Sequence, residues 1–209
     1  MRDNSTPSSI NFVGIRSFIL NKLSVELSKE LIYHSVEHTL RVEAAAMKYA
    51  GLENLDEHET LLVRTAALFH DAGFIERYDH NEELGALLFE NNAQKFGFNA
   101  DETKLVSEII LSTSYAAVPK NILEAIMRDA DLDYLGTADY HRTAQSLFDE
   151  MAKFGKAYPP KKTLEIQLDY LKNHHAYYTN SAKKLRNEGK EKRILELQQK
   201  LASLKSTAL

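Results

Sequence analysis

The stretch Ala66-Ala67-Leu68-Phe69-His70-Asp71-Ala72-Gly73 sets an ionisable pair at the end of an apolar run. An unpartnered charge is costly to bury, or shifts its pKa until it neutralises. Upstream, Leu62, Ala66 and Phe69 recur at helical spacing, and Asp56 with Glu59 three residues on forms an acidic version of the capping box. The spacing therefore predicts a helix opening at Asp56 and ending around His70-Asp71, just before Gly73. Apolar residues precede the pair, so the helix is buried and its end points inward. Gly73 leaves room for something to approach the backbone closely. Counted with His38 and Asp131, which sit on other predicted helices, the pair makes a set of two His and two Asp. A divalent cation is the simplest partner for such a set.

Outward from this stretch the chain reads as helix throughout. Gly (8) and Pro (4) are sparse, and no alternating strand pattern recurs. Ile15, Phe18, Ile19 and Leu23 mark a first amphipathic helix. Ser35 can cap a second, carrying Val36, Leu40, Ala44 and Met47 and stopping near Gly51. A fourth runs from about Glu82 to Phe96-Gly97. Asp101 is expected to cap a fifth, and Asn121, after the break at Pro119, a sixth that delivers Arg128-Asp129-Ala130-Asp131. Asp139 can open a seventh. Tyr158-Pro159-Pro160 is the clearest punctuation, and Pro suits the start of a following helix. After Asn180 the chain is rich in Lys and Arg, with Ile194, Leu195, Leu197, Leu201 and Leu204 on a narrow stripe. That stripe predicts a terminal helix packing on the body or on a partner chain, a second copy in a homo-oligomer among the options. The reading is an all-α protein: a polar, disordered start over 1–11, a helical core over 12–157 and C-terminal helices over 158–209.

Composition narrows the chemistry. The 209 residues carry 26 Lys+Arg against 30 Asp+Glu, a formal charge of -4, which gives no general drive toward nucleic acid or anionic membranes. There is no Cys, so thiolate sites and disulfides are excluded and a metal must be held by His, Asp, Glu or backbone oxygen. No apolar stretch reaches bilayer length, and the start lacks a signal-peptide core; the expectation is a cytoplasmic protein. Two nitrogen ligands disfavour Mg²⁺ and suit one of Mn²⁺, Fe²⁺, Co²⁺, Ni²⁺ or Zn²⁺.

A second His pair, His34 and His38, lies four apart at the start of a predicted helix, which puts both rings near one face. A third acidic cluster, Asp129-Ala130-Asp131, also follows an apolar run. Together, Tyr33-His34 with His38, then His70-Asp71, then Asp129-Ala130-Asp131-Leu132-Asp133 resemble the HD-domain superfamily of metal-dependent phosphohydrolases. The match covers roughly residues 30 to 150. The resemblance implies an HD-domain-like helical bundle with an additional C-terminal segment. It also implies metal binding by His38, His70, Asp71 and Asp131, with Asp129 as the neighbouring alternative. His34 resembles the residue that protonates the leaving oxygen in the cyclic-nucleotide phosphodiesterase branch; the other reading is a His that orients a ligand by hydrogen bonding.

Departures from the family pattern narrow the reading. Dinuclear members carry further His ligands between the His-Asp pair and the last Asp. Here only His80 falls in that interval, Asn81 stands where the pattern would place a His, and Ser112-Thr113-Ser114 occupies the later pair's place. One metal is therefore expected, with His80 as a possible extra ligand. Glu76 and Arg77 are candidates for water activation and phosphate contact, against a solvated ion pair at a helix end. Arg41, Lys120, Arg128, His141 and Arg142 are candidate substrate cations, each against a salt-bridged surface reading. Tyr33, Tyr115, Tyr134 and Tyr140 could stack on a base or belong to the core. The implied activity is hydrolysis of a nucleotide or other small phosphate ester, with Asp71 or Asp131 holding the attacking water. The alternatives are a catalytically silent signalling module and a purely structural metal.

Overall fold

A computed structural model describes residues 10–206 of the chain, with side chains to residue 204. Among the described residues there are nine α-helices and no strand: α1 (Phe12–Glu26), α2 (Val36–Leu52), α3 (Glu57–Phe69), α4 (Asn81–Ala93), α5 (Ala100–Leu111), α6 (Ile122–Asp131), α7 (Tyr140–Lys153), α8 (Pro160–Asp169) and α9 (Asn180–Ser206). Short 3-10 turns follow α3 (Ala72–Ile75) and α6 (Asp133–Gly136), and a π-helical turn follows α8 (Tyr170–His174). The all-α expectation holds. Of the expected frayed start, residues 1–9 lie outside the described residues, while Ile10 packs on the core and the Asn11 side chain accepts from Gly14 N at 2.8 Å.

The helix ends follow local chemistry. Asp56 and Glu59 form the expected capping box, with Glu59 N donating to Asp56 Oδ1 at 2.7 Å and Asp56 N to Glu59 Oε2 at 3.2 Å. Ser35 caps α2, Asn121 caps α6, and Pro160 opens α8. One expected cap is corrected. The cap of α5 is Asn99, not Asp101: Asn99 Oδ1 takes Glu102 N at 2.9 Å and Glu102 Oε2 takes Asn99 N at 2.8 Å. Asp101 lies instead in the first turn, where a carboxylate suits the helix dipole. Asp139 opens α7 as expected, at its N-cap position, though its carboxylate meets Arg142 at 3.2 Å and not the helix backbone.

α2 also turns a different face inward. Leu40 and Met47 of the expected stripe are exposed, while Val42, Ala46, Tyr49 and Ala50 are buried alongside His38, Thr39 and Glu43. A buried acid disguised the true face in the sequence. Glu43 is held there by Arg16 at 3.0 Å and Arg64 at 2.9 Å. This rotation carries His38 into the interior.

Two cores result. The larger joins α1 to α6 through residues such as Ile15, Ile19, Phe69, Phe89, Ile109 and Ile126. Each such side chain contributes roughly 1.5–3 kcal/mol on full burial. The smaller joins the turn after α6 to α7, α9 and the π-helical turn through Leu135, Tyr140, Ala144, Leu171, Ile194 and Leu197. α9 thus packs on this chain's own body. Leu195 and Leu204 of its expected stripe are exposed. Its contact with the turn after α6 is very close, since a Cβ on Gly189 would stand 2.0 Å from Gly136 O. Arg186 of α9 forks onto Asp133, with Nε to Oδ1 at 2.7 Å and Nη2 to Oδ2 at 3.0 Å, and Tyr49 donates to the same carboxylate. The turn that follows Asp131 is thereby held from both sides.

Candidate metal centre

α2, the end of α3 and the end of α6 bring the three parts of the motif together. His38, His70 and Asp71 each place one donor atom within 4.8 Å of the others. Asp71 Oδ2 lies 3.2 Å from His38 Nε2 and 3.0 Å from His70 Nε2. Asp131 Oδ1 lies 3.2 Å and 3.5 Å from the same two nitrogens, and the nitrogens are 3.2 Å apart. Ligands about 2.1 Å from one cation stand about 3.0 Å apart in octahedral and about 3.4 Å apart in tetrahedral arrangement. Four of the observed separations fall in that range and the fifth, His70 to Asp131 at 3.5 Å, lies just above it.

The donor chemistry fits a cation as well. His70 Nδ1 donates to Ala67 O at 2.9 Å, which leaves the lone pair of the neutral ring at Nε2, facing the cluster. Asp71 Oδ2 is buried and receives no hydrogen bond. Asn81 Nδ2 holds the other oxygen, Oδ1, at 3.2 Å. Two carboxylates and two imidazoles converge with more lone pairs than protons. Burial opposes charge on His38 and His70, but Asp131 and Asp71 outweigh it and raise both imidazoles above their ordinary range. Burial likewise pushes Asp71 and Asp131 up, and the two imidazoles more than reverse it, leaving both carboxylates low. Protons and a metal would compete for this set.

A cavity of about 430 Å³ opens beside the centre, its lining including Asp71, Asp131, His34, Asn81 and Glu82. His34 does not belong to α2, as its spacing from His38 suggested. It precedes the cap Ser35, with the two rings 6.1 Å apart and nearly perpendicular. Its ring stacks on Phe74 at 4.0 Å. Its Nδ1 meets Glu150 Oε1, while Glu150 Oε2 accepts from Tyr33 N at 2.8 Å and His34 N at 3.1 Å. Tyr78 also donates to Glu150 Oε1, at 3.3 Å. Glu150 is fully buried; burial raises its carboxyl, but His34 and the two backbone donors bring it net below its ordinary value.

Sequence reasoning missed Glu150, Glu82 and Asn81. Glu150 lies between Phe148 and Phe154, and nothing in its spacing marks it as inward. Glu82 was within reach, since it follows Asn81 at a family ligand position. Its carboxyl is raised by burial and by Asp71 and Asp131.

Other expected residues lie elsewhere. Asp129 does not reach the centre: its carboxylate accepts from Tyr178 N, Thr179 N and Thr179 Oγ1 at 2.7–2.8 Å, tying down the start of α9. His80 is exposed beside Glu83 at 3.4 Å and forms no part of the cluster. Gly73 makes room for the backbone of Asn81, not for a ligand, because a Cβ there would stand 2.1 Å from Asn81 O. Glu76, Arg77 and Lys120 are exposed and do not line the cavity. Arg41 pairs with Glu37 at 2.8 Å, and His141 with Glu196 at 2.7 Å. Arg41 and Arg142 line a separate 330 Å³ recess that also touches His38 and Asp131. Arg128 is buried, donating to Ser112 O and, at 2.8 Å, to Ser114 O, which anchors the loop carrying Tyr115. Tyr33, Tyr115, Tyr134 and Tyr140 do line the cavity.

Residues 35–133 match the family described as HD domain, a match that supports the HD superfamily for this part of the chain. The fold is similar to that of Bacillus subtilis YpgQ, whose crystal structure was determined in complex with ADP. The two share 23% sequence identity at a TM-score of 0.63, over 90% of this chain and 92% of that one. No curated protein matches the chain. Among the described residues no helix is long and apolar enough to cross a membrane.

Proposed function

We propose that the chain hydrolyses a nucleotide or another small phosphate ester with one divalent transition metal held by His38, His70, Asp71 and Asp131. The observation that carries this reading is the convergence of those four side chains from three helices at the edge of a cavity that also presents His34. The ADP bound by Bacillus subtilis YpgQ, which shares the fold, supports a nucleotide. When bound, the cation supplies a Lewis acid that polarises a phosphoryl oxygen and acidifies water. Two imidazole ligands favour Mn²⁺, Fe²⁺, Co²⁺, Ni²⁺ or Zn²⁺ over Mg²⁺.

The remaining work falls to the chain's own residues. Asn81 orients Asp71 through its Oδ1. Glu82, on the cavity wall and raised by burial, takes the water-orienting role first assigned to Glu76. His34 is the general acid. Glu150 engages Nδ1, so the proton delivered to a leaving oxygen is the one at Nε2. The same carboxylate balances the imidazolium before transfer. Phe74, stacked on the ring, fixes its plane.

The test is metal analysis of the purified protein, followed by phosphate release from a panel of nucleotides with Mn²⁺ added. Release by the wild type and its loss in His70→Ala and Asp71→Ala are expected. Equal activity in those variants would contradict the assignment.

A further inference from the structure

The cavity lining mixes two chemistries, ionisable groups beside the candidate metal centre and apolar side chains. Besides the candidate metal ligands its lining includes Leu147, Phe148 and Met151 of α7 and Ile166 and Asp169 of α8. The four apolar side chains among these are Leu147, Phe148, Met151 and Ile166. These four are half-buried and belong to neither hydrophobic core. Apolar side chains on a concave wall, outside any core, are the usual lining of a small-molecule site. The volume lies within the roughly 300–1,000 Å³ typical of such sites. All four residues fall outside the segment 35–133 that matches the HD domain.

One amide is set into this wall. Gln167 lines the cavity, and its Oε1 accepts from Tyr140 Oη at 2.9 Å. Its Nε2 makes no hydrogen bond among the described residues. The tyrosine therefore fixes the amide with its donor side unused. Among the described residues no Lys or Arg lines the cavity.

We propose that this recess is a nucleobase subsite, in which a planar base lies against the α7–α8 wall and presents an acceptor to Gln167 Nε2. An alkyl group would leave the Gln167 donor without a partner. A sugar's hydroxyls would gain nothing from Leu147, Phe148, Met151 and Ile166. The flat, apolar faces and acceptor edge of a base meet both demands. That the base arrives carrying a phosphate rests on the phosphohydrolase reading; the recess itself requires no metal.

The experiment is isothermal titration of the metal-free full-length chain with adenosine, guanosine, cytidine, uridine and ribose. At least one nucleoside should bind saturably while ribose does not. Gln167→Glu keeps the Tyr140 contact and removes the donor, and Gln167→Leu removes both. Each should weaken that nucleoside by about 5-fold, the worth of one net hydrogen bond. Ile166→Trp fills the recess from α8 and should abolish binding; circular dichroism establishes that each variant is folded. Ribose binding as well as every nucleoside, no saturable nucleoside, or folded Gln167 variants that bind like wild type would each overturn the proposal. Phosphate and metal are absent from the titration, so nucleoside binding without hydrolysis would count against the hydrolase reading alone, and hydrolysis without nucleoside binding against the subsite alone.

Discussion

Replacing Glu150 by Gln exchanges one buried carboxylate oxygen for an amide nitrogen and removes the charge behind His34. In the native protein one oxygen serves the backbone donors of Tyr33 and His34 at 2.8 and 3.1 Å, and the other serves His34 Nδ1 and Tyr78 Oη. The amide oxygen of Gln can keep the two backbone bonds, so its nitrogen must face the imidazole. His34 Nδ1 then has to accept, and the imidazolium loses its partner. A hydrogen bond to a charged group is worth about 1.5–3 kcal/mol, which corresponds to roughly a 10- to 150-fold loss in a step that depends on the charged ring. Because general acid catalysis contributes about 10²–10⁴-fold, a loss of that size fits within it. The assay is kcat and KM for nucleotide hydrolysis across pH, with urea unfolding alongside. kcat should fall while KM holds, and stability should change by about 1 kcal/mol or less. Glu150→Ala, which orphans two buried backbone donors, should cost about 2–6 kcal/mol of stability as well. Wild-type kcat for Glu150→Gln at every pH, with kcat lost in His34→Ala, would refute the reasoning.

Other predictions follow from the structure around the site. Burial, with Lys190 and Arg128 nearby, pushes the His175 imidazole down to about 3. The unfolded chain takes a proton there below about 6.5 while the folded chain does not, so stability falls as pH drops, by about 2 kcal/mol at pH 5. Urea unfolding at pH 5 and 7 should show this loss in the wild type and a smaller one in His175→Phe. Gly189→Ala drives a methyl to 2.0 Å from Gly136 O, backbone against backbone, and should cost at least about 1–3 kcal/mol, lowering Tm by several degrees. Gly51→Ala, with nothing within 4 Å, is the matched control and should hold or raise Tm. Mn²⁺ at about 100 times its Kd should stabilise the wild type by about 2.7 kcal/mol and leave His70→Ala unchanged in thermal melts.

The helical architecture was legible because it rests on local signals: the Asp56–Glu59 box, the Pro160 start and the apolar periods of α1 and α3 all appear where expected. The order His38, His70-Asp71, Asp131 was equally legible, since each ends or opens a helix beside apolar residues. The face of α2 was not, because Glu43 is buried through ion pairs to Arg16 and Arg64 that no local pattern announces. Glu150 was hidden for the same reason: its partners lie 116 and 117 residues away. The residues expected as substrate cations have partners of their own. Arg41 and His141 satisfy neighbouring acids, and Arg128 satisfies backbone carbonyls. Charge in the sequence marked surface and loop anchoring there, while the cavity is lined chiefly by aromatic and apolar side chains from α7, α8 and the turns beside them.

The most direct measurement is phosphate release from the best nucleotide substrate as metal-stripped protein is titrated with Mn²⁺. The account predicts no release without metal, a rate that saturates near one equivalent per chain, and none at any Mn²⁺ concentration in His70→Ala or Asp131→Ala. Full release from the stripped protein, or metal-dependent release that survives in either variant, would contradict it.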